Sequence, residues 1–481
     1  MPQPAPPSPA NARPGLVVPV LAFGGIVVSL MQTLVIPLVP KLPALLGASP
    51  ADTAWVITAT LLAAAVATPV VGRLGDMYGK RRMLLLSLGL LVAGSVVAAL
   101  ADTLVPLVVA RALQGLAAGV IPLGISIMRD ELPAERLGSA TAMMSASLGV
   151  GGALGLPAAA FLAENTDWHV LFWTSAGLGV VVTALVATCV PESTVRTGGH
   201  FDLVGAAGLS AALVCLLLAI SKGAAWDWGS ATTLGLFAAA AALLLVWGWW
   251  ELRAGQPLVD LRTTARPQVL LTNLSSLVFA FAMFAMSLVL PQILQLPTAT
   301  GYGLGQTMLV TGLVLMPSGL LMMATAPISA RITAARGPKV TLMPGALVVA
   351  VGYGLGVVLM ANVAQLVLVS ATISAGIGLA YGAMPALIMG AVPVSETAAA
   401  NSLNTLMRSI GTSISSAVTG MILAQLTVTL GPATVPSQGG FRLILGLGGV
   451  MALAALAIAA FIPAASRRGQ ATDDHALATT R

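Results

Sequence analysis

Apolar runs long enough to cross a lipid bilayer recur along almost the whole chain, and short polar stretches separate them. An α-helix needs about 20 mainly apolar residues to span the hydrocarbon. Two long runs contain Pro317 and Pro385, and we expect these helices to tilt or bend. The pattern predicts an all-α integral membrane protein with fourteen transmembrane helices, at residues 15–39, 53–74, 82–101, 104–128, 139–163, 168–190, 202–221, 231–250, 269–293, 303–331, 340–360, 364–392, 399–427 and 442–463.

The composition agrees with a lipid environment and excludes several classes of protein. Of 481 residues, 57% are hydrophobic and 8% are charged, whereas a soluble domain carries about 25% charged residues. The net charge of +6 could indicate nucleic-acid binding, but the basic residues stand between the apolar runs, where they set membrane topology. We therefore expect no nucleic-acid partner. Cys189 and Cys215 lie inside apolar runs and no histidine pair has metal-ligand spacing, so we predict no disulfide framework, metal or cofactor.

The distribution of basic residues predicts the orientation of the chain. With the N-terminus in the cytoplasm, seventeen Lys and Arg residues fall on the cytoplasmic side, three fall on the other side, and Arg111 and Arg408 lie within spans. Such a bias is the positive-inside signal, and an even number of spans preserves it. Lysine is scarce beside arginine and alanine, as in GC-rich bacterial genes. We expect a multi-pass protein of a bacterial plasma membrane, with both termini in the cytoplasm as disordered tails at 1–14 and 464–481.

Two repeats divide the spans into halves. The segment ATPVVGRLGDMYGKRRM (67–83) is similar to TAPISARITAARGPKVT at 325–341, and GLAAGVIP (115–122) matches GLAYGAMP at 378–385 in five of eight positions. The second span thus pairs with the tenth, and the fourth with the twelfth. Since paired spans run in the same direction, an axis along the membrane normal should relate the halves. We predict an N-terminal six-helix bundle at 15–190, two inserted linker helices within 191–266, and a C-terminal six-helix bundle at 267–463.

Three segments carry a resemblance to a known family. GRLGDMYGKRR (72–82) is similar to the loop-2/3 signature of the major facilitator superfamily, RALQGLAAG (111–119) to its fourth-helix signature, and GVGGALGLP (149–157) to its antiporter signature. Fourteen spans with an inserted pair resemble the fourteen-helix drug:proton antiporter branch. That branch usually carries an aspartate in the first span, where this chain has Met31 or Gln32.

The resemblance implies a secondary active transporter that exports amphiphilic small molecules by proton antiport with alternating access. Its expected partners are a small-molecule substrate, protons and membrane lipid, and we expect a monomer. Two alternatives remain, a proton-coupled symporter for metabolite uptake and a non-transporting membrane receptor or scaffold. The sequence shows no acid pair, no Ser/His/Asp set and no phosphate-binding loop, so we do not expect an enzyme.

The resemblance also suggests a cytoplasmic gate and a sealing interface. The gate comprises Gly72, Asp76, Gly79 and Arg81, in which Asp76 would face the positive N-terminus of a helix from the other half. The alternative is a solvated loop that obeys the positive-inside rule. In the fifth span, Gly151, Gly155 and Pro157 are expected to form a close helix interface, which is also what ordinary helix packing would produce.

A substrate cavity is predicted from polar residues inside the spans. A buried arginine costs at least about 2.5–3.5 kcal/mol on membrane-insertion scales and normally faces a cavity or a partner. Arginines bonded to backbone carbonyls, and polar groups bonded between helices, are the structural alternatives. Because no acid lies at mid-membrane, two arginines should favour a neutral or anionic substrate. The predicted cavity residues are Gln32, Arg111, Gln114, Asn273, Tyr381, Asn404 and Arg408, and the candidate proton sites are Asp76, Glu164, His169 and Asp202.

Overall fold

The structure is a computed structural model, and it describes residues 14–35, 38, 42–430 and 433–463. The tails predicted at 1–14 and 464–481 lie outside the described residues, apart from Pro14 at the start of the first helix. Fourteen long helices make up most of the described chain. In chain order they are α1 Pro14–Thr33, α2 Trp55–Tyr78, α3 Lys80–Ala99, α4 Leu104–Glu131, α5 Ala134–Asn165, α6 His169–Cys189, α7 Leu203–Trp226, α8 Ala231–Glu251, α9 Pro267–Gln295, α10 Met308–Arg336, α11 Pro338–Val358, α12 Val363–Met389, α13 Thr397–Gln425 and α14 Gln438–Ala460.

Two of these helices are not regular throughout. The helix α4 passes through a 3-10 turn at Leu116–Gly119, and α10 is broken at Thr325, ahead of Pro327. Short α-helices and 3-10 turns occupy some of the connections, at Leu42–Leu46, Pro50–Thr53, Leu261–Thr264, Thr298–Thr300 and Val394–Glu396. Between α13 and α14, an antiparallel hairpin of β1 (Thr427–Leu430) and β2 (Ala433–Pro436) places Val428 opposite Val435.

The all-helical membrane fold predicted from the hydropathy pattern is confirmed. In the described part of the chain, thirteen helices have the length and apolar composition of a membrane span. The remaining long helix, α13, has 29 residues, which is enough to cross a bilayer. Its many polar side chains make it less apolar than the other thirteen. It packs against α2 and α9, and its polar residues Asn401, Asn404 and Arg408 are buried. A span in this position can be polar because neighbouring helices shield it from lipid.

The helices form two bundles with separate apolar cores. One core is built mainly from α1–α6, with Met389 and Ala398 of the other bundle at its edge, and the other is built from α9–α14. The helix pairs that pack in the first bundle recur in the second eight helices later: α1 packs on α5 as α9 packs on α13, and α3 on α6 as α11 on α14. Contacts between the bundles are also reciprocal, since α2 meets α13 and α5 meets α10. Of the two helices predicted to be an insertion, α7 lies against α2 and α13, and α8 packs on α7.

Close packing at glycine accounts for the second repeat. A methyl group on Gly115 of α4 would collide with the carbonyl oxygen of Thr60 in α2. At the repeated position in α12, a methyl group on Gly378 would collide with Thr325 and approach the Met322 carbonyl oxygen in α10 at 2.5 Å. Each bundle therefore requires a residue without a side chain at the same point, where two helix backbones approach closely.

Candidate functional site

The predicted gate lies where the end of α2 meets the start of α13. We call this side of the protein, which carries the α2–α3 and α10–α11 turns, the basic end. The side chain of Asp76 is fully buried, and its two oxygens accept hydrogen bonds from the backbone N–H groups of Ala398 (3.2 Å) and Ala399 (2.8 Å) in the first turn of α13. A carboxylate in this position complements the unpaired amides and partial positive charge of a helix N-terminus. We call this contact the latch.

Gly72 belongs to the same contact, whereas Gly79 and Arg81 do not. A methyl group on Gly72 would collide with Ser402 of α13. Gly79 stands between α2 and α3 with a φ of +121°, a conformation that favours glycine. Arg81 turns away from the second bundle: its backbone N–H donates to Glu192 at 3.2 Å, and its guanidinium donates to the Ala187 carbonyl at the end of α6.

A buried ion pair between Lys80 and Asp130, which was not predicted from the sequence, lies next to the latch. Lys80 is fully buried, and its Nζ donates to Asp130 Oδ2 at 2.6 Å and lies 3.8 Å from Asp76 Oδ1. Ser193, in the segment after α6, donates to the same Asp130 oxygen at 2.5 Å. A buried charge needs a partner of opposite sign. Lys80 thus ties α3 to α4 and adds positive charge behind the Asp76 carboxylate.

Arg129, at the end of α4, makes a second polar contact between the bundles. Its guanidinium donates to the carbonyl oxygens of Met389 (2.8 Å) and Val392 (3.1 Å) at the end of α12, and to Thr397 Oγ1 (2.6 Å). A cation at a helix C-terminus is stabilising for the same reason that an anion is at an N-terminus. Asp76 and Arg129 therefore hold the two sides of the turn between α12 and α13. Backbone carbonyl acceptors leave no signature in a sequence, which explains why this role was not predicted.

Four of the predicted cavity residues come together between α9, α12 and α13. The guanidinium carbon of Arg408 lies 5.1 Å from the centre of the Tyr381 ring, a cation–π distance. Asn404 donates to Asn273 Oδ1 at 3.0 Å and to Ser276 Oγ at 2.7 Å. The remaining amide of Asn273 and the Tyr381 hydroxyl are buried and have no hydrogen-bond partner among the described residues. This group, the α13 cluster, contains several donors and no carboxylate.

Arg111 and Gln114 belong to a different group, inside the first bundle. Arg111 is 2% exposed and donates to the carbonyl oxygens of Met31 (3.2 Å) and Val56 (3.3 Å) and to Gln114 Oε1 (2.7 Å). Gln114 in turn donates to Ser95 Oγ at 2.9 Å. All of these partners belong to α1–α4, so Arg111 and Gln114 together join four helices of one bundle. Gln32 is exposed, and its neighbour Met31 is the one that meets Arg111.

The residues of the predicted fifth-span interface contact two different helices. A methyl group on Gly151 would collide with the Ile26 carbonyl oxygen of α1, and one on Gly155 would collide with Thr33. Pro157 instead lies against Gly312 of α10, where an added methyl group would be 2.8 Å from its ring nitrogen. The α5 glycines therefore close the first bundle, and Pro157 lies at the interface between the bundles.

The other candidate proton sites lie apart from one another. Asp202 caps α7, where its Oδ1 accepts from the Gly205 N–H at 2.8 Å. His169 begins α6 with its Nδ1 2.5 Å from Asp167 Oδ1, and the backbone N–H and imidazole of His169 hold the pKa of Asp167 below its usual range. The side chain of Glu164 lies outside the described residues.

The arrangement has the parts that a two-state transporter needs. Two bundles, each with an apolar core, meet along α2–α13 and α5–α10, and at one end polar contacts hold them together. Polar contacts exchange readily with water when the bundles separate, whereas each bundle keeps its own apolar core.

The family model of the Major Facilitator Superfamily matches residues 21–416. The chain belongs to this superfamily. It is a transporter family whose members are not enzymes, and its bacterial relatives include multidrug and antibiotic exporters.

Three comparisons illustrate the relationship. An uncharacterised MFS-type transporter of Mycobacterium tuberculosis (strain CDC 1551 / Oshkosh) is 31% identical over 312 residues, which cover 64% of this chain and 45% of the relative. The matched part therefore spans less than half of that protein's length. The tetracenomycin C resistance and export protein of Streptomyces glaucescens is 27% identical over 425 residues, or 87% of this chain and 78% of the relative. The crystal structure of the human organic anion transporter MFSD10 has a TM-score of 0.66 at 15% identity and covers 93% of this chain and 100% of its own, which shows a shared fold.

Proposed function

We propose that the protein exports amphiphilic small molecules, neutral or anionic, by proton antiport with alternating access. The observation that carries the proposal is the α13 cluster, which sets an arginine without an acidic partner beside unpaired donors in the core of a family transporter. The tetracenomycin C resistance and export protein, which matches most of the chain, supports export over uptake.

The substrate class follows from the charges of the α13 cluster. Arg408 is 8% exposed, and among the described residues no carboxylate lies within ion-pair distance of it. In a medium of low dielectric constant an unpaired cation repels other cations and attracts anions. The Tyr381 ring, the Phe279 ring 6.5 Å from it and the surrounding apolar core would accept the hydrophobic part of an amphiphile.

Alternating access would occur by motion of one bundle against the other. In the described state the latch and Arg129 join the bundles at the basic end, which the positive-inside bias predicts to be cytoplasmic. Release of these contacts would open that end, while small residues at the α5–α10 interface, such as Ala146 and Ala326, would allow the helices to slide.

Probe transport in bacterial cells tests the proposal. Cells that express the protein should lose carboxyfluorescein, an anion, faster than control cells, and a protonophore should abolish the difference. Arg408→Ala should remove most of this efflux, whereas Arg442→Ala, which changes an exposed arginine of α14, should not. Accumulation of the probe would indicate uptake instead. Strong efflux of ethidium, a permanent cation, that persists in Arg408→Ala would overturn the assignment of the substrate class.

A further inference from the structure

A cavity of about 560 Å³ lies beside the latch at the basic end. Its wall includes Arg73 of α2, Ala399 of α13 and Glu251, the last residue of α8. Ala399 is one of the two residues whose backbone N–H groups bind Asp76. The cavity therefore connects the inserted helices to the contact that closes this end of the protein.

Glu251 is a buried acid without a cationic partner in this wall. It is 3% exposed, and the donors around its carboxyl group, which are the Trp247 indole and the backbone N–H groups of Leu258 and Val259, do not reach full hydrogen-bond geometry. Within the described chain, no lysine, arginine or histidine forms an ion pair with it. An ionised carboxylate would lose several kcal/mol of hydration free energy here with little compensation, so burial favours the protonated form.

A second carboxylate, on Asp202, faces Glu251 across Gly205 of α7. A methyl group on Gly205 would collide with Asp202 Oδ2 and would lie 2.7 Å from Glu251 Oε1, so both acids approach the same point. The surroundings of Asp202 suit an anion, because it caps the N-terminus of α7 and accepts a hydrogen bond from Trp250 Nε1 at 3.0 Å. A negative charge on Asp202 favours a proton on its neighbour.

Three arginines line the cavity around Glu251, and Arg73 is the one that belongs to the helix of the latch. The wall also contains Arg253, Asp260, Arg262 and Glu396. The guanidinium of Arg253 lies over the Trp249 ring at 4.0 Å, and Asp260 accepts hydrogen bonds from the backbone N–H of Arg262 and from Thr263. Arg73, half-buried, reaches the cavity from α2, the helix that carries the latch.

We propose that Glu251, faced by Asp202, is a proton-binding site of this transporter. When the basic end opens, the carboxyl group transfers its proton to water in the cavity, and the resulting carboxylate is balanced by Arg73. After the basic end has closed, the carboxylate takes up its next proton from a hydronium ion that enters from the opposite side of the membrane, so that each cycle carries one proton across. The proposal rests on the proposed proton antiport and assigns the coupling group to the inserted helices.

Infrared spectroscopy of the purified full-length protein tests proton binding without any substrate. The difference between spectra recorded in acid and in alkali should contain the carbonyl band of a protonated carboxylic acid that Glu251→Gln loses. Glu135→Gln, which changes an exposed acid at the basic end, should keep this band. Asp202→Asn should keep the band but change the pH range in which it appears. Spectra of Glu251→Gln that equal those of the wild type would overturn the proposal.

Transport in proteoliposomes tests whether the site couples to the pH gradient. With carboxyfluorescein as probe, the wild type should move the probe against its concentration gradient when a pH gradient is imposed. Glu251→Gln should lose this uphill transport but keep downhill movement of the probe, and Glu251→Asp should restore part of the uphill transport. Undiminished uphill transport by Glu251→Gln would refute the coupling role. If the wild type moves no probe at all, the proposed function fails, and the infrared result still decides whether Glu251 binds a proton.

Discussion

Removal of the Asp76 carboxylate should open the basic end by a calculable amount. Asp76 accepts two hydrogen bonds from α13, at 2.8 and 3.2 Å, while shielded from water. A hydrogen bond to a charged group contributes about 1.5–3 kcal/mol. In the open state water replaces these bonds, so Asp76→Ala should cost the closed state about 3 kcal/mol, or roughly 150-fold in its ratio to the open state. Asp76→Asn keeps an acceptor and loses the charge, for which we expect about 1.4 kcal/mol, or tenfold.

Distances between spin labels on the two bundles measure this ratio. Tyr78 at the end of α2 and Val394 after α12 are 49% and 44% exposed, so cysteines placed there accept labels without disturbing the core. Cys189 and Cys215, the two natural cysteines, are first replaced by serine. Electron–electron double resonance should then show a longer distance whose population rises from wild type to Asp76→Asn to Asp76→Ala.

Two comparisons decide whether the reasoning about the latch holds. Glu131→Gln changes a half-buried acid at the same end of α4 and should leave the distances as in the wild type. Arg129→Gln removes the contact with the end of α12 and should shift the distances in the same direction as Asp76→Asn. A distance distribution for Asp76→Ala that equals the wild type would refute the claim that this carboxylate holds the basic end closed.

Three further predictions concern stability. Arg111→Ala should lower the free energy of unfolding by about 2–4 kcal/mol, because buried carbonyls lose their donors, and thermal unfolding in detergent should show a lower Tm. Gly378→Ala should destabilise the protein by about 1–3 kcal/mol through overpacking, while Gly354→Ala, which has open space around it, should not lower the Tm. Since hydrogen bonds from His169 lower the pKa of Asp167, its carboxylate stabilises the α5–α6 turn at neutral pH and loses this effect in acid. The difference in Tm between wild type and Asp167→Ala should therefore be full above about pH 3.9, the ordinary pKa of an aspartate, and shrink as the pH falls below it.

The boundaries of several helices could be predicted from the point where an apolar run gives way to polar residues. The thirteenth span, expected at 399–427, is the helix Thr397–Gln425, and the twelfth, expected at 364–392, is Val363–Met389. One of the larger differences occurs where a local cap acts. The tenth helix begins at Met308 instead of 303, because Thr307 caps it and accepts a hydrogen bond from the Val310 N–H.

The candidate site was predicted in part. The clustering of Arg408, Asn404, Asn273 and Tyr381 follows from polar residues on apolar helices, which must find one another or a cavity. In the sequence, Lys80 looks like a basic residue of a solvent-exposed loop. Its burial depends on an ion pair with Asp130, fifty residues away. Asp202 was among the predicted proton sites, but its pairing with Glu251 was not foreseen, because Glu251 stands at a helix end where a solvated carboxylate is expected.

The sequence by itself determined that the chain is an all-helical membrane protein, and it predicted two halves that share one plan. Hydropathy, the position of charges and short repeats are properties of neighbouring residues, and lipid forces every apolar run into a helix that satisfies its own backbone. Only the tertiary structure decided which charged groups are buried and what they touch. Arg111 and Arg408 look alike in the sequence, yet one bonds to carbonyls of its own bundle and the other lies beside a tyrosine among unpaired donors. Contacts between residues far apart in the chain, and backbone groups that carry no side-chain signature, set that difference.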